Sequence, residues 1–335
     1  MNTSSAPPRA ECIDDLLGPA GGRFFGRGFR RVAYDIGDVR LARGPQGTTT
    51  ASTSVGVRYP ADWSKKKAGS DLRPHFSTVD GIVIAAQLAE ACLGGPGADL
   101  RDAWLRSVRL SAGSAPQEDL AGLRAEATVR GTEPVPRTPG RSVSRVDCAI
   151  GTMRVRLEVE HSSACTLAAE QAGTALDALL GPAGERYFGT GFTRRTQHIR
   201  RVDVDPERLR ASSALTLAQD DATVPRAGLE GAFQPSVSMI DAFVTVLQLA
   251  QIMLYDLDGM RRQDSNTLWM RQTTLTASRP DRGDTDLTVE AALEDAQVHR
   301  MRGETWRTLD ITGELPGLTV RSAVAHQLPE GHVAP

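Results

Sequence analysis

DDLLGPAGGRFFGRGFRR, residues 14–31, returns as DALLGPAGERYFGTGFTR at residues 177–194, with 13 of 18 positions identical. That offset of 163 marks an internal duplication, and the rest of the chain follows it in the same order at offsets between 161 and 165. STVDGIVIAAQLA (77–89) pairs with SMIDAFVTVLQLA (238–250), keeping Ser, Asp, Gln, Leu and Ala. AWLRSVRLSA (103–112) pairs with LWMRQTTLTA (268–277), and VRLEVEH (155–161) with VRSAVAH (320–326). Two copies of one unit, residues 1–165 and 166–335, therefore make up the chain.

Each copy has the same layout. A short helix (IDDLL, LDALL) stops at Gly-Pro, as a left-handed Gly followed by Pro does. An aromatic, glycine-rich turn and a strand-like stretch follow (RRVAYDI, TQHIRRVDV). One long helix then starts near Ser77 and Ser238, where Ser three residues before Asp has the spacing of a capping box. Ile82, Ala85, Ala86, Ala89 and Leu93 recur at helical spacing, as do Ile240, Phe243, Leu247 and Leu254, and both helices are apolar nearly all round. Beyond them the period switches to alternation: WLRSVRL, GLRAEATV, SVSRVDCAI and TMRVRLEVEH in one copy, LWMRQTTLTA, LTVEAALEDA, ETWRTLDITGEL and LTVRSAVAH in the other. A long buried helix followed by a strand meander describes a sheet wrapped around a central helix. The expected fold is α+β, a tandem (double) hotdog with two adjacent helices and one continuous antiparallel sheet. The Pro-rich stretch GTEPVPRTPG (131–140) is expected to be a long loop.

Composition narrows the function. The 335 residues carry a net charge of −2 with 24% charged residues, which excludes a broadly basic nucleic-acid binder. The N-terminal MNTSSAPPRAECIDD has no basic or apolar leader, and no apolar run spans a bilayer, so a cytoplasmic protein without membrane association is expected. Cys12, Cys92, Cys148 and Cys165 show no CxxC spacing, which fits isolated buried thiols rather than disulfides or zinc. GxSxG, HExxH and Walker patterns are missing, and no cofactor or metal is expected. Of 39 basic residues only Lys65, Lys66 and Lys67 are lysine, and they are adjacent.

Differences between the copies locate the chemistry. RPHFSTVD (73–80) aligns with QPSVSMID (234–241), so His75 faces Ser236 and Arg73 faces Gln234. The lysine triplet has no basic counterpart. His75 is the candidate general acid–base group, because imidazole titrates near neutrality. Asp80 and Asp241 are expected to cap their helices, with Asp241 also able to meet His75 across the pseudo-dyad. Gln87 and Gln248 are expected to hydrogen-bond each other, or to hold a substrate carbonyl. Amides around Val79 to Ile82, with Gly81 allowing close approach, are candidates to hold an oxyanion. Lys65, Lys66 and Lys67 are candidates for a phosphate grip at the mouth of an acyl tunnel lined by apolar strand and helix residues, and Arg73 is a further substrate-binding candidate.

IDDLLGPAGGRFFGRGF, its echo LDALLGPAGERYFGTGF, and HFSTVDGIVIAAQLAE resemble the avirulence protein D (AvrD) family over nearly the full length. The layout is also distantly similar to the A-factor synthesis enzymes. The resemblance implies an enzyme making syringolide-like acyl sugars from a β-ketoacyl thioester and a ketose such as xylulose. The implied partners are a thioester on acyl carrier protein or coenzyme A, and a sugar or sugar phosphate. The rival expectations are a hotdog dehydratase or thioesterase and a non-catalytic acyl-ligand sensor. Hotdog dehydratases carry a carboxylate within the central helix; the first helix has Ala86 and Gln87 at that depth.

Overall fold

A computed structural model describes residues 9–44, 47–63, 73–95, 98–220, 224–265, 268–301 and 303–328. β1 (Arg9–Cys12), α1 (Asp14–Leu17), β2 (Ala33–Ile36), β3 (Val39–Arg43) and β4 (Thr49–Arg58) precede the first long helix, α2 (Thr78–Leu93). β5 (Trp104–Ser111), β6 (Leu123–Pro134), β7 (Arg141–Ile150) and β8 (Met153–Ser162) complete that copy. The second copy opens with β9 (Gln171–Thr174), α3 (Leu176–Leu180), β10 (Arg195–Asp205) and β11 (Arg210–Gln219). It continues through α4 (Met239–Leu257) to β12 (Leu268–Ala277), β13 (Leu287–Met301), β14 (Glu304–Leu315) and β15 (Leu318–Gln327).

The strands form one antiparallel sheet ordered β1-β10-β11-β13-β14-β15-β12-β5-β8-β7-β6-β4-β3-β9, with β2 beside β4. β8, whose residues alternate between buried and exposed along most of its length, shows how the sheet offers one face to the interior. That face wraps α2 in one half and α4 in the other, so each half is a hotdog and the chain is a double hotdog. The halves join where β5 lies antiparallel to β12, with Val108 opposite Leu275 and Leu110 opposite Thr273. Arg109 faces Thr274 at the centre, and these are equivalent positions of the two copies. The pseudo-twofold axis therefore passes between them.

The helices start as their sequences dictate. Ser77 and Asp80, and Ser238 and Asp241, form reciprocal capping boxes that satisfy N–H groups left open at a helix start. Every residue of α2 is buried. α4 is the one helix among the described residues long and apolar enough to cross a bilayer, but it is the core of the second half. α1 and α3 end at Gly18 and Gly181, whose φ of +78° and +82° glycine adopts at little cost.

Three details differ from the sequence reading. Strands β6 and β7 remain paired out to Pro134 opposite Ser142, so the expected loop over 131–140 shrinks to 135–140. A strand-end proline gives up little pairing. Cys92 and Cys148 are buried, whereas Cys12 and Cys165 are half-exposed; all four are free thiols. The leading segments, moreover, change halves. β1 pairs with β10 of the second copy, β9 pairs with β3 of the first, α1 packs on α4 and α3 on α2.

Candidate functional site

The exchange of leading segments puts an arginine from each copy against the core helix of the other. Arg23 Nη1 donates to Gln248 Oε1 at 2.7 Å, and its Nη2 pairs with Asp14. Arg186, 163 residues on, donates through Nη1 to Gln87 Oε1 at 3.2 Å and through Nη2 to Asp177 at 2.9 Å. The sequence reading expected the two glutamines to bond each other, and they do not. Each serves the arginine of the opposite copy and spends its amide on its own helix, at the Val83 and Val244 carbonyls.

A cavity opens at the start of α2, between the halves. Among the described residues its wall includes Phe24, Phe25, Tyr59, Trp63, Arg73, His75, Ser77 and Thr78 from the first copy's leading half. Gln117, Thr152 and Met153 add a second wall, and Gln251, Tyr255, Arg262 and Leu268 to Met270 come from the second copy. Phe24 stacks on Tyr59 at 5.7 Å between centroids, and Trp63 stands edge-on to Phe24, Tyr59 and His75. The wall is apolar and aromatic with a few convergent polar groups, the usual composition of a small-molecule site.

Behind Tyr59 lies Asp80. Its carboxylate accepts from the Tyr34 hydroxyl at 2.8 Å, from the Tyr59 hydroxyl and from the Ser77 amide at 2.8 Å. The Tyr59 hydroxyl also lies 2.9 Å from the His75 carbonyl. Burial raises the Asp80 pKa, against the opposing pull of these hydrogen bonds. Burial first, and then the Asp80 charge, push both phenols well above their ordinary value. The capping-box acid of the first half is therefore held by neutral donors, one of which faces the cavity.

The second half handles the same position with a cation. Asp241 is buried and pairs with Arg195, while Gln197 donates at 2.7 Å and Ser238 at 2.8 Å through its amide and 2.6 Å through its hydroxyl. Arg195 in turn lies over the Tyr187 ring at 4.7 Å and binds Gln234 Oε1 at 2.7 Å. Ser236, aligned with His75, accepts the Arg282 amide at 2.8 Å, and Arg282 reaches Glu230 at 3.4 Å. Arginines and their partners fill this end.

These contacts sort the sequence candidates. His75, half-buried, and Arg73, exposed, border the cavity. Asp241 does not border it, and its carboxylate is committed to Arg195, Gln197 and Ser238; the structure does not pair it with His75. Asp80 caps α2 one layer behind the wall. Gly81 makes room for the sheet rather than for a ligand: a Cβ there would stand 2.6 Å from Met153 Sδ and 2.9 Å from Leu110 Cδ2. Its amide donates to the Ser77 carbonyl and that of Asp80 to Ser77 Oγ, which removes two of the amides expected to hold an oxyanion. Lys65, Lys66 and Lys67 lie outside the described residues. Sequence reasoning missed Tyr34, Tyr59, Arg23, Gln251 and Arg262. A residue-by-residue comparison of the copies would have flagged Gln251, which aligns with Glu90.

Several solved structures are similar in arrangement. An acyl-CoA thioesterase II, TesB2, from Mycobacterium marinum is 11% identical, covering 88% of this chain and 96% of its own, with a TM-score of 0.36. A 12:0-ACP thioesterase from Umbellularia californica is 13% identical over 83% and 94%, with a TM-score of 0.39. The dehydratase domain from the CurJ module of the curacin polyketide synthase is 9% identical over 88% and 98%, with a TM-score of 0.37. Among curated proteins, none matches the chain. The family model described as Pseudomonas avirulence D protein (AvrD) matches residues 9–329, which takes in both copies of the duplicated opening and both core helices; the chain belongs to the AvrD family.

Proposed function

We propose that this chain is an enzyme acting on an acyl thioester, which it binds in the cavity between its halves. The substrate is a β-ketoacyl thioester of acyl carrier protein or coenzyme A, and the acyl group passes to a hydroxyl acceptor such as a ketose. The observation that carries this reading is the one-sided cavity. It lies at the N-terminal end of a buried helix, is walled by aromatic and apolar groups, and is bordered by an imidazole. AvrD membership supports the same substrate class.

His75 takes the proton of the acceptor hydroxyl as that oxygen attacks the thioester carbonyl. The C–S bond then breaks, the ester forms, and the departing thiolate receives the proton from the imidazolium. The same imidazole can deprotonate the carbon between the two carbonyls. Ser77 and Thr78 place the positive end of α2 beside the cavity, where it favours negative charge developing on the carbonyl oxygen. Tyr59, tied to Asp80, offers a phenol at the same wall.

Native mass spectrometry of the chain with medium-chain β-ketoacyl thioesters, with and without a ketose, tests the reading. A new acyl-sugar mass is expected. Loss of water alone would make the chain a dehydratase, and an unchanged bound ligand would make it a binding protein. His75→Ala, folded normally, should turn over at least about a hundredfold slower. An undiminished rate removes His75 from the mechanism.

A further inference from the structure

Four rings run in contact along the cavity wall. The His75 ring lies 6.3 Å from Trp63, Trp63 lies 5.8 Å from Phe24, and Phe24 lies 5.2 Å from Phe25, centroid to centroid. All four residues border the cavity. Exposure falls along the row: His75, Trp63 and Phe24 are half-buried, and Phe25 is buried. The row continues past the cavity. The Phe25 ring stands edge-on to Phe243 of α4 at 5.7 Å, and Phe243 is fully buried and does not border the cavity. Phe25 is thus the last ring of the row that the cavity meets before the core of the second copy. The buried Phe76 and Met153 of the same wall belong to its α2 end, Phe76 beside His75 in sequence and Met153 against Gly81 of the first helical turn. The second copy seals the equivalent turn. Tyr187 and Phe188, aligned with Phe24 and Phe25, are buried with their rings 4.9 Å apart, and the Tyr187 hydroxyl donates to Ser238 Oγ at 2.6 Å.

We propose that Phe25 is the stop of an acyl channel: the acyl group of the substrate runs inward from His75 along Trp63 and Phe24 and ends against the Phe25 ring, which sets the longest acyl group accepted. Each methylene laid against these rings leaves water and adds affinity. A methylene beyond Phe25 meets an edge-on ring contact with no space for it. Cutting the Phe25 side chain back opens the wall onto Phe243, and an apolar space made in that way takes up an apolar ligand. The channel rests on the thioester reading in calling its occupant an acyl group; the stop is a property of the wall.

Calorimetry of the full chain with S-alkyl thioethers of pantetheine, in a series of rising alkyl length, tests the stop without turnover. For the wild type, affinity should rise about fourfold per methylene up to one length and then level or fall. Phe25→Ala should move that break to a longer alkyl group, so that the first methylene past the wild-type break still adds about fourfold. Phe25→Leu, which keeps an apolar side chain for folding, should move the break the same way by less, and Phe25→Trp should move it to a shorter length. An unchanged break in the folded variants overturns the stop. So does a loss of affinity by one factor at every length, or no binding at any length. A protein that sorts the thioethers as expected yet leaves β-ketoacyl thioesters intact refutes the proposed function and not the stop. Turnover whose length preference is the same in the wild type and all three variants refutes the stop and not the function.

Discussion

At the residue scale, each buried carboxyl group must find donors or give up its charge. Asp80 relies on two phenols and a backbone amide, and Tyr59→Phe removes one of these while keeping the stacked ring. Its pKa, already raised by burial, should rise further. A carboxyl group with a raised folded pKa binds more protons folded than unfolded, so its stability is full at low pH and falls as pH rises through the folded value. Tyr59→Phe should therefore cost about 1–3 kcal/mol near neutral pH and less near pH 4, measured by urea unfolding at both. Glu90 follows the same sign. Burial pushes it up to about 7, although Arg186 and the Leu229 amide pull it down. Stability should fall between pH of about 4.5 and 7, and Glu90→Gln should flatten that part of the profile. A slope unchanged in the variant would assign it to other groups. None of this was legible in the sequence: Tyr34, on β2, and Tyr59, just past the end of β4, sit 46 and 21 residues from Asp80, and no local pattern states that they meet it.

At the element scale, the sequence was most informative where local chemistry is strict. Both capping boxes, both glycine stops and every strand from β5 to β8 and from β12 to β15 were legible, because Ser-x-x-Asp spacing, left-handed Gly and two-residue alternation each demand one geometry. Gly81 was misread because its requirement is tertiary. It stands under Met153 and Leu110, so helix α2 can approach β5 and β8. Gly81→Ala should force those side chains to move and cost about 1–3 kcal/mol by overpacking, despite the higher helix propensity of alanine. A denaturation midpoint at or above that of the wild type would show the contact to be slack. The β6–β7 hairpin was misread for the opposite reason: prolines 134, 136 and 139 suggested a loop, yet only residues 135–140 leave the ladder.

At the scale of the whole molecule, the duplication was plain in the sequence, but the exchange of leading segments was hidden by it. Arg23 and Arg186 stand in equivalent turns and Gln87 and Gln248 in equivalent helices, so the repeat alone does not say which arginine meets which glutamine. The structure answers with the crossed pairing. Each half then depends on the other for an edge strand, a short helix and a buried guanidinium, besides the β5–β12 seam. The chain should unfold in one cooperative step, and residues 166–335 expressed alone should fail to give a cooperative transition by circular dichroism. A sharp transition for that fragment would show the crossed contacts to be dispensable. The halves differ elsewhere, and the proposed function rests on that difference: one end is filled by Arg186, Arg195 and Arg282, and the other is left as a cavity.

The crossing of β1 onto β10 also sets a timetable for synthesis. Residues 9–12 leave the ribosome long before their partner strand, which is made about 190 residues later. At ribosomal speeds that is a wait of roughly 10 to 40 s. During it the start of the chain has no strand to join, and the turn holding Arg23 has no α4 to close against. Through that interval the newborn first half lacks its β9 edge and its β12 seam and has its β1 segment unplaced, which makes residues 9–12 a natural point of contact for a chaperone or a protease.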